Sequence, residues 1–330
     1  MSAAMTHRDR VRATLKNQET DRTPVSMWRH FFDGETRPDT LAEALLGFQT
    51  KFDWDFMKVN PRASYHVEGW GVKVAYREAE HPQVTETPIK KPDDWLKLAV
   101  LPLDRGVLKE HLDALELTAR GLKGQVPFIM TVFTPLAIAG RMTATEDMFV
   151  QHLREHPDKV KHALDVITET FTEFAKASLN RGASGLFFAT TAFATSDRLT
   201  LDEYRRFGTP YDLKLLKALP PAEFHVLHVC RDNNFLTAMT DYPVQAFNWD
   251  ARGHGNLSLS EAKALLGNKA VIGGIPHQDN LVKSSPQQLK SEIAGLRVAM
   301  GHKGWMLGPG CTFPPETPEE NVRTLREAAE

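Results

Sequence analysis

Strand-length apolar runs alternate with longer segments of helical period along this chain, and that alternation limits the folds open to it more than any other feature. The runs cover residues 24–30, 55–60, 127–133, 185–190, 223–230, 244–250, 269–275 and 305–311. They are apolar on both faces, as expected of strands covered on both sides. Several intervening segments open with the same device, a Ser or Thr three residues before an acid or amide: Thr200 with Glu203, Ser258 with Glu261, Ser285 with Gln288 and Thr317 with Glu320. Such pairs satisfy backbone N–H groups that the first turn of a helix leaves open. Strand, loop and capped helix in repetition predict a parallel sheet under helices. A count of about eight predicts closure into a single (β/α)8 TIM barrel over residues 1–330, in preference to an open doubly wound sheet in two domains.

Three segments add to that plan. A basic amphipathic helix is expected at the N-terminus, from Thr6 to about Gln18. Residues 61–102 form an insertion after the second strand, with Tyr65, Glu68, Trp70, an alternating stretch at 72–76 and a Pro-rich end near Trp95. An insertion at the C-terminal rim of a barrel usually covers the active site. A helical span from Thr145 to Arg181 should break before Pro157, because the residue preceding a proline is pushed out of the helix. Composition excludes two classes of partner. With 40 basic and 42 acidic side chains the net charge is -2, which does not suit a nucleic-acid binder. The apolar runs fall far short of the roughly 20 residues of a membrane span, and residues 1–10 are polar, so the chain reads as cytoplasmic.

The 330 residues contain two cysteines, and a chain of this size needs no disulfide to hold its core. His228 and Cys230 are two apart on the fifth run, so their side chains share a face. Cys311 closes the eighth run, after Gly308 and Gly310, whose missing side chains would allow a ligand close approach. In a parallel barrel, reacting groups sit where strands end. One imidazole and two thiolates suit zinc, and three protein ligands with one open position are the catalytic pattern. Against this, a buried cysteine often serves as a small hydrophobe, and His-x-Cys alone has little specificity. A zinc with water in the open position would favour hydrolysis; with a thiol there it would favour attack by sulfur on an electrophilic carbon. Two thiolate ligands add electron density to the metal and tilt the balance toward sulfur alkylation.

The segment Gly310-Cys311-Thr-Phe-Pro-Pro-Glu-Thr-Pro-Glu-Glu-Asn321, together with His228-Val-Cys230, resembles the zinc-dependent cobalamin methyltransferase branch of the uroporphyrinogen decarboxylase superfamily. The resemblance extends over nearly the whole chain. It implies zinc on His228, Cys230 and Cys311, and transfer of a methyl group between a corrinoid, free or on a partner protein, and a thiol such as coenzyme M or homocysteine. The decarboxylase branch carries two arginines four apart near its N-terminus; only Arg29 remains here. Its strand-two aspartate falls at Asn60, and an amide cannot supply the negative charge needed beside a pyrrolinium cation. Its late histidine falls near Gly310. Genuine uroporphyrinogen decarboxylation is therefore not expected.

Arg29 and Asn60 remain as catalytic candidates, and Arg29, His30, Lys58 and His277 as substrate-binding ones. Arg29 or Lys58 would hold an anionic group, or else pair with Asp55 at the barrel mouth. Asp250 is a candidate fourth zinc ligand or a partner for His228, and Glu68 is a candidate ligand from the insertion. His225, three residues from His228, should face away and be structural. The alternatives are a zinc-free decarboxylase of a porphyrin-like carboxylate and a non-catalytic corrinoid-binding relative. A homodimer is an open expectation.

Overall fold

The computed structural model describes residues 4–77 and 80–330. Beyond β1 (Met57–Val59), a hairpin of β2 (Lys73–Ala75) and β3 (Gln83–Glu86) stands apart from the main sheet. The sheet of β1 then continues in sequence order through β4 (Phe128–Phe133), β5 (Gly185–Ala189), β6 (Val226–His228), β7 (Ala246–Asn248), β8 (Ala270–Ile275) and β9 (Trp305–Pro309). Every neighbouring pair is parallel.

The expected first strand at 24–30 is not a regular strand. Val25 makes an isolated parallel bridge to Leu307, with Ser26 N–H on the Leu307 carbonyl at 3.0 Å and Leu307 N–H on that of Pro24 at 2.8 Å. On its other side, Asp55 N–H reaches the Val25 carbonyl at 2.9 Å, and Ser26 Oγ donates to the Phe56 carbonyl at 2.7 Å. This segment closes the ring between β9 and β1 as the eighth stave of a TIM barrel. A full ladder fails for two local reasons: Pro24 has no N–H, and the Val25 N–H is taken by the Asp55 carboxylate at 2.8 Å.

Strand parity sorts the core into two layers. Trp28, Phe56, Ile129, Phe187, Ala189, Val226, Ala246, Ala270, Ile272 and Met306 pack together inside the barrel, with Val11 of the helix His7–Leu15 among them. Their strand neighbours Met57, Met130, Phe188, Leu227, Phe247, Val271 and Leu307 are buried too, on the face toward the helices. The alternation holds because successive strand residues point to opposite faces. It places Lys58, His228 and Asn248, two residues on from Phe56, Val226 and Ala246, inside the barrel and one layer nearer its C-terminal rim.

The capped helix starts form as expected at Thr200, Ser258 and Ser285, each with both hydrogen bonds of the box. Thr317 does not cap. Its hydroxyl donates to the Pro314 carbonyl, and the last helix, Glu319–Glu327, starts from Pro318 without a side-chain cap. The span before strand β5 divides into Glu146–Glu155 and Pro157–Asn180, with His156 out of helical conformation between them. The insertion carries a short helix Tyr65–Glu68, the β2–β3 hairpin and a 3₁₀ turn Pro92–Lys97. Among the described residues, no helix is long and apolar enough to cross a membrane.

Candidate metal centre

His228 ends β6 facing the barrel interior, and Cys230 follows two residues later on the same parity. Cys311 arrives from the loop after β9. The closest-approaching donor atoms of these three residues lie within 4.8 Å of one another, with His228 Nε2 3.6 Å from Cys311 Sγ. Both cysteines are free thiols. Gly310 makes the convergence possible: a Cβ there would lie 2.9 Å from the Asp250 Cα, so the tight approach is between β9 and the loop after β7. The missing side chain at Gly310 therefore serves protein packing, and Gly310 also lines the cavity in front of the cluster. Arg231, directly after Cys230, holds a positive φ of 77°, a left-handed conformation that non-glycine residues adopt at a cost.

The imidazole orientation is fixed from behind. His228 Nδ1 lies 2.6 Å from Asn248 Oδ1, its register partner on β7. The Asn248 amide nitrogen is committed to the carbonyls of Ile272 at 2.9 Å and Pro309 at 3.0 Å, so its oxygen must face the ring. Nδ1 is then the protonated nitrogen and Nε2 carries the lone pair toward the cysteines, as a metal-ligating histidine requires. Phe187 stacks on the ring at 5.1 Å between centroids. A hydrogen bond from Cys230 and the adjacent His228 pull the Cys311 thiol well below its ordinary pKa, while the same contact pushes Cys230 well above it. Cys311 is the thiol that ionises first.

Donor set and spacing both fit zinc. Sulfur and nitrogen at roughly 2.3 and 2.05 Å from one tetrahedral ion stand about 3.6 Å apart. Asp250 is outside this cluster. Its Oδ1 accepts from Arg252 N–H at 3.0 Å, and its Oδ2 lies 3.5 Å from His277 Nδ1. The partner of His228 is Asn248, an assignment the sequence reading missed. Its signal was available: an amide on the inward parity of the strand beside His228, between Ala246 and Asp250.

The cluster opens into a cavity of about 1330 Å³ lined by residues from most of the barrel's C-terminal loops. His30, Lys58, Asn60, Asp250 and His277 line it, as do His81, Pro82 and Val84 of the insertion. Residues of the insertion therefore form part of the cavity wall. Lys58 is buried; its ammonium donates to Asn60 Oδ1 at 2.6 Å and lies 4.6 Å from the centre of the Phe187 ring. Burial pulls its pKa down to about 7, against an opposing pull from Cys311. His30 Nδ1 faces Glu35 at 3.3 Å, and its ring stacks on Phe32.

Three expected placements are not found here. Arg29 does not line the cavity: it donates to the Pro315 carbonyl at 2.8 Å and packs over Phe31, bracing the loop that carries Cys311. Asp55 is at the opposite end of the barrel, at the start of β1, where Arg10 and Arg22 hold it. Lys58 consequently pairs with Asn60 instead. Glu68 is held within the insertion by Tyr76 at 2.5 Å and Arg62 at 3.5 Å. His225 faces away as expected, its Nδ1 accepting from Leu186 N–H. Two further lining residues, His66 in the short helix Tyr65–Glu68 and Arg141 at the end of the helix Pro135–Gly140, carried no signal that sequence reasoning could read, since neither segment is long enough to show a period.

A closed parallel barrel with a histidine and two thiols converging at its C-terminal mouth defines a TIM-barrel protein with a candidate catalytic metal site. Residues 6–330 match the description of the uroporphyrinogen decarboxylase (URO-D) family, and the chain belongs to that family. A methylcobamide:CoM methyltransferase, MtaA, of Methanosarcina barkeri is 25% identical over 74% of this chain and 70% of its own length. A uroporphyrinogen decarboxylase of Psychromonas ingrahamii is 22% identical over 97% of this chain and 96% of its own. Among solved structures, a methyltransferase from Methanosarcina mazei superposes with a TM-score of 0.85 at 22% identity, covering 98% of both chains. That likeness is one of fold.

Proposed function

We propose that this chain works as one barrel domain and is a zinc-dependent methyltransferase, moving a methyl group between a methylated corrinoid, free or on a partner protein, and a thiol. The observation that carries the reading is the 3.6 Å separation of His228 Nε2 and Cys311 Sγ, with Asn248 fixing the imidazole tautomer from behind. His228, Cys230 and Cys311 are the ligands. Zinc bound there would hold an incoming thiol as its thiolate at neutral pH. Lys58, Asn60, His30 and His277 line the space in front and orient the substrate. His81, Pro82 and Val84 shield the cavity from bulk water.

The cavity exceeds the roughly 300–1,000 Å³ typical of small-ligand pockets, which suits a thiol approached by the face of a much larger corrinoid. The decarboxylase reading fits less well. The described carboxylates lining the cavity are Asp197, Asp232, Asp250 and Glu316, none of them on β1 where a pyrrole cradle is needed. The position there is Asn60, and its oxygen is already engaged by Lys58.

Purified without chelator, the full chain should carry near-stoichiometric zinc. Cys230→Ser and Cys311→Ser should lose it with the circular dichroism spectrum unchanged, and thiols should demethylate methylcobalamin in the wild type alone. Absence of zinc, with no uptake when it is added, would overturn the reading. A filled site without turnover of any thiol would favour a corrinoid-binding, non-catalytic role.

A further inference from the structure

The two thiols of the cluster arrive on separate loops, Cys230 after β6 and Cys311 after β9, and the loop after β7 packs against both carriers. Directly after Cys230 the chain takes a strained turn. Arg231 has a φ of 77° and Asn233 one of 48°. Asparagine tolerates that left-handed region; arginine enters it only where its surroundings impose it.

The constraint on Arg231 comes from Asn256, on the loop after β7. Its amide nitrogen donates to the Arg231 carbonyl at 3.0 Å and to the Asp250 carbonyl at 2.9 Å, and its oxygen accepts from the Asn234 N–H at 3.1 Å. The amide cannot be turned over, because two carbonyls need its nitrogen and a backbone N–H needs its oxygen. Two further bonds run between the same loops: Asn233 N–H reaches the His254 carbonyl at 2.7 Å, and His254 N–H reaches Asp232 Oδ1 at 3.0 Å. A Cβ on Gly253 would lie 2.4 Å from Asn256 Nδ2, so this glycine leaves the amide its room. The other side of the loop meets the carrier of Cys311, where Asp250 Cα fills the space beside Gly310. Cys230 itself is held loosely, its N–H on Thr190 Oγ1 at 3.3 Å. Thr195 also ties the turn, through the Asp232 carbonyl at 2.6 Å, but to the loop after β5 and away from Cys311.

We infer that Asn256 is a positioning residue for the metal centre: it fastens the turn after Cys230 to the loop after β7 and so fixes Cys230 against Cys311. This rests on the zinc reading for the identity of the metal, whereas the spacing of the two sulfurs belongs to the chain alone. Asn248 orients the imidazole of the cluster, and Asn256 places a thiol.

The test replaces Asn256 in the full chain and loads cobalt(II) in place of zinc. The sulfur-to-cobalt charge-transfer band in the near ultraviolet grows with the number of thiolates bound, and the wild type should show the intensity of two. Asn256→Ala should lose about half of it and bind zinc about 10- to 100-fold more weakly in competition with a chelating dye, with the circular dichroism spectrum unchanged. Asn256→Asp keeps the shape but turns a carboxylate toward two carbonyls, and should do the same. An asparagine that only stabilises the fold would lower the unfolding temperature and leave the band intact. A full band in either folded variant therefore overturns the inference. Glycine takes the left-handed turn without strain, so in an Arg231→Gly background Asn256→Ala should cost about threefold less zinc affinity than it does alone. Equal losses in the two backgrounds would overturn the action through this turn.

A second measurement reads the spacing without metal. Phenylarsine oxide condenses with two thiols, forming two As–S bonds and releasing one water, and holds firmly only where both sulfurs reach one arsenic. Metal-free wild type should retain the arsenical against excess monothiol, and Asn256→Ala should release it about 10-fold more readily. If the wild type retains it but takes up no zinc or cobalt, the positioning role stands and the zinc reading falls. If wild type and variant retain it equally, the positioning role falls whatever the metal does.

Discussion

Asp55 and Lys58 lie three residues apart around the start of β1, both buried, and the barrel treats them in opposite ways. Asp55 is fully enclosed: Arg10 at 2.6 Å, Arg22 at 2.6 and 3.0 Å, His7 at 3.1 Å and the Val25 N–H at 2.8 Å occupy both of its oxygens. Burial pushes its pKa up, but these partners outweigh it, and the carboxyl ends below its ordinary range. Lys58 has one amide oxygen and two ring faces. Around the C-terminal mouth, His66 Nδ1 and Arg29 Nε are buried without a hydrogen-bond partner, and His277 Nδ1 has only the Asp250 carboxylate at 3.5 Å. A buried polar group left open costs stability, and at the mouth the open His66 and His277 nitrogens belong to residues that line the cavity, where a ligand could complete them.

The largest expected effect comes from breaking the saturated end. Asp55→Ala leaves the Arg10 and Arg22 guanidinium groups facing a buried void and should cost about 3–5 kcal/mol in urea unfolding. Zinc affinity of the surviving folded protein should stay as in the wild type. A loss under 1 kcal/mol would show that this network is not what stabilises the bottom of the barrel.

Next in size is Asn248→Leu, which removes the acceptor that orients His228 at the other end. Zinc binding should weaken about 10- to 100-fold, read by competition with a chelating dye, and the cost in stability should be smaller than that of Asp55→Ala. Unchanged zinc affinity would mean that the cysteines and the ring stacking on Phe187 suffice to place the imidazole.

The smallest effect uses a third buried carboxyl, Asp212 in the helix layer, which has neutral partners where Asp55 has cations. The hydroxyls of Tyr204 and Tyr242 donate to one oxygen at 2.8 and 2.9 Å, and the other has no partner. Burial raises its pKa to about 7, the phenols opposing. The folded state thus binds a proton that the unfolded chain releases near 3.8. Stability from this group is present below pH 4 and declines as pH rises toward and past 7. The wild type should lose on the order of 1 kcal/mol relative to Asp212→Asn between pH 6 and 8. Parallel curves for the two proteins would remove Asp212 from the comparison.

Seven of the eight expected strands form where the apolar runs lie, and period-2 parity places His228 and Cys230 on one inward face. Both follow from local rules that one strand suffices to express. The first run shows where such rules stop. Residues 24–30 have strand composition, yet the Val25 N–H goes to a carboxylate thirty residues away, which no periodicity announces. Asp55 misled for the same reason. Sequence alone brings it near Lys58, but only the docking of the helix His7–Leu15 beneath the barrel brings Arg10 to it and marks that end as closed.

The barrel, its order and the three donors at strand ends were legible before any contact was known, because alternation, caps and parity are properties of short segments. The tertiary structure decided which groups meet: Asn248 behind His228, Arg29 diverted to the Pro315 carbonyl, and Asp250 held outside the cluster. Those outcomes depend on contacts between loops far apart in the chain. Such contacts exist only once the ring has closed.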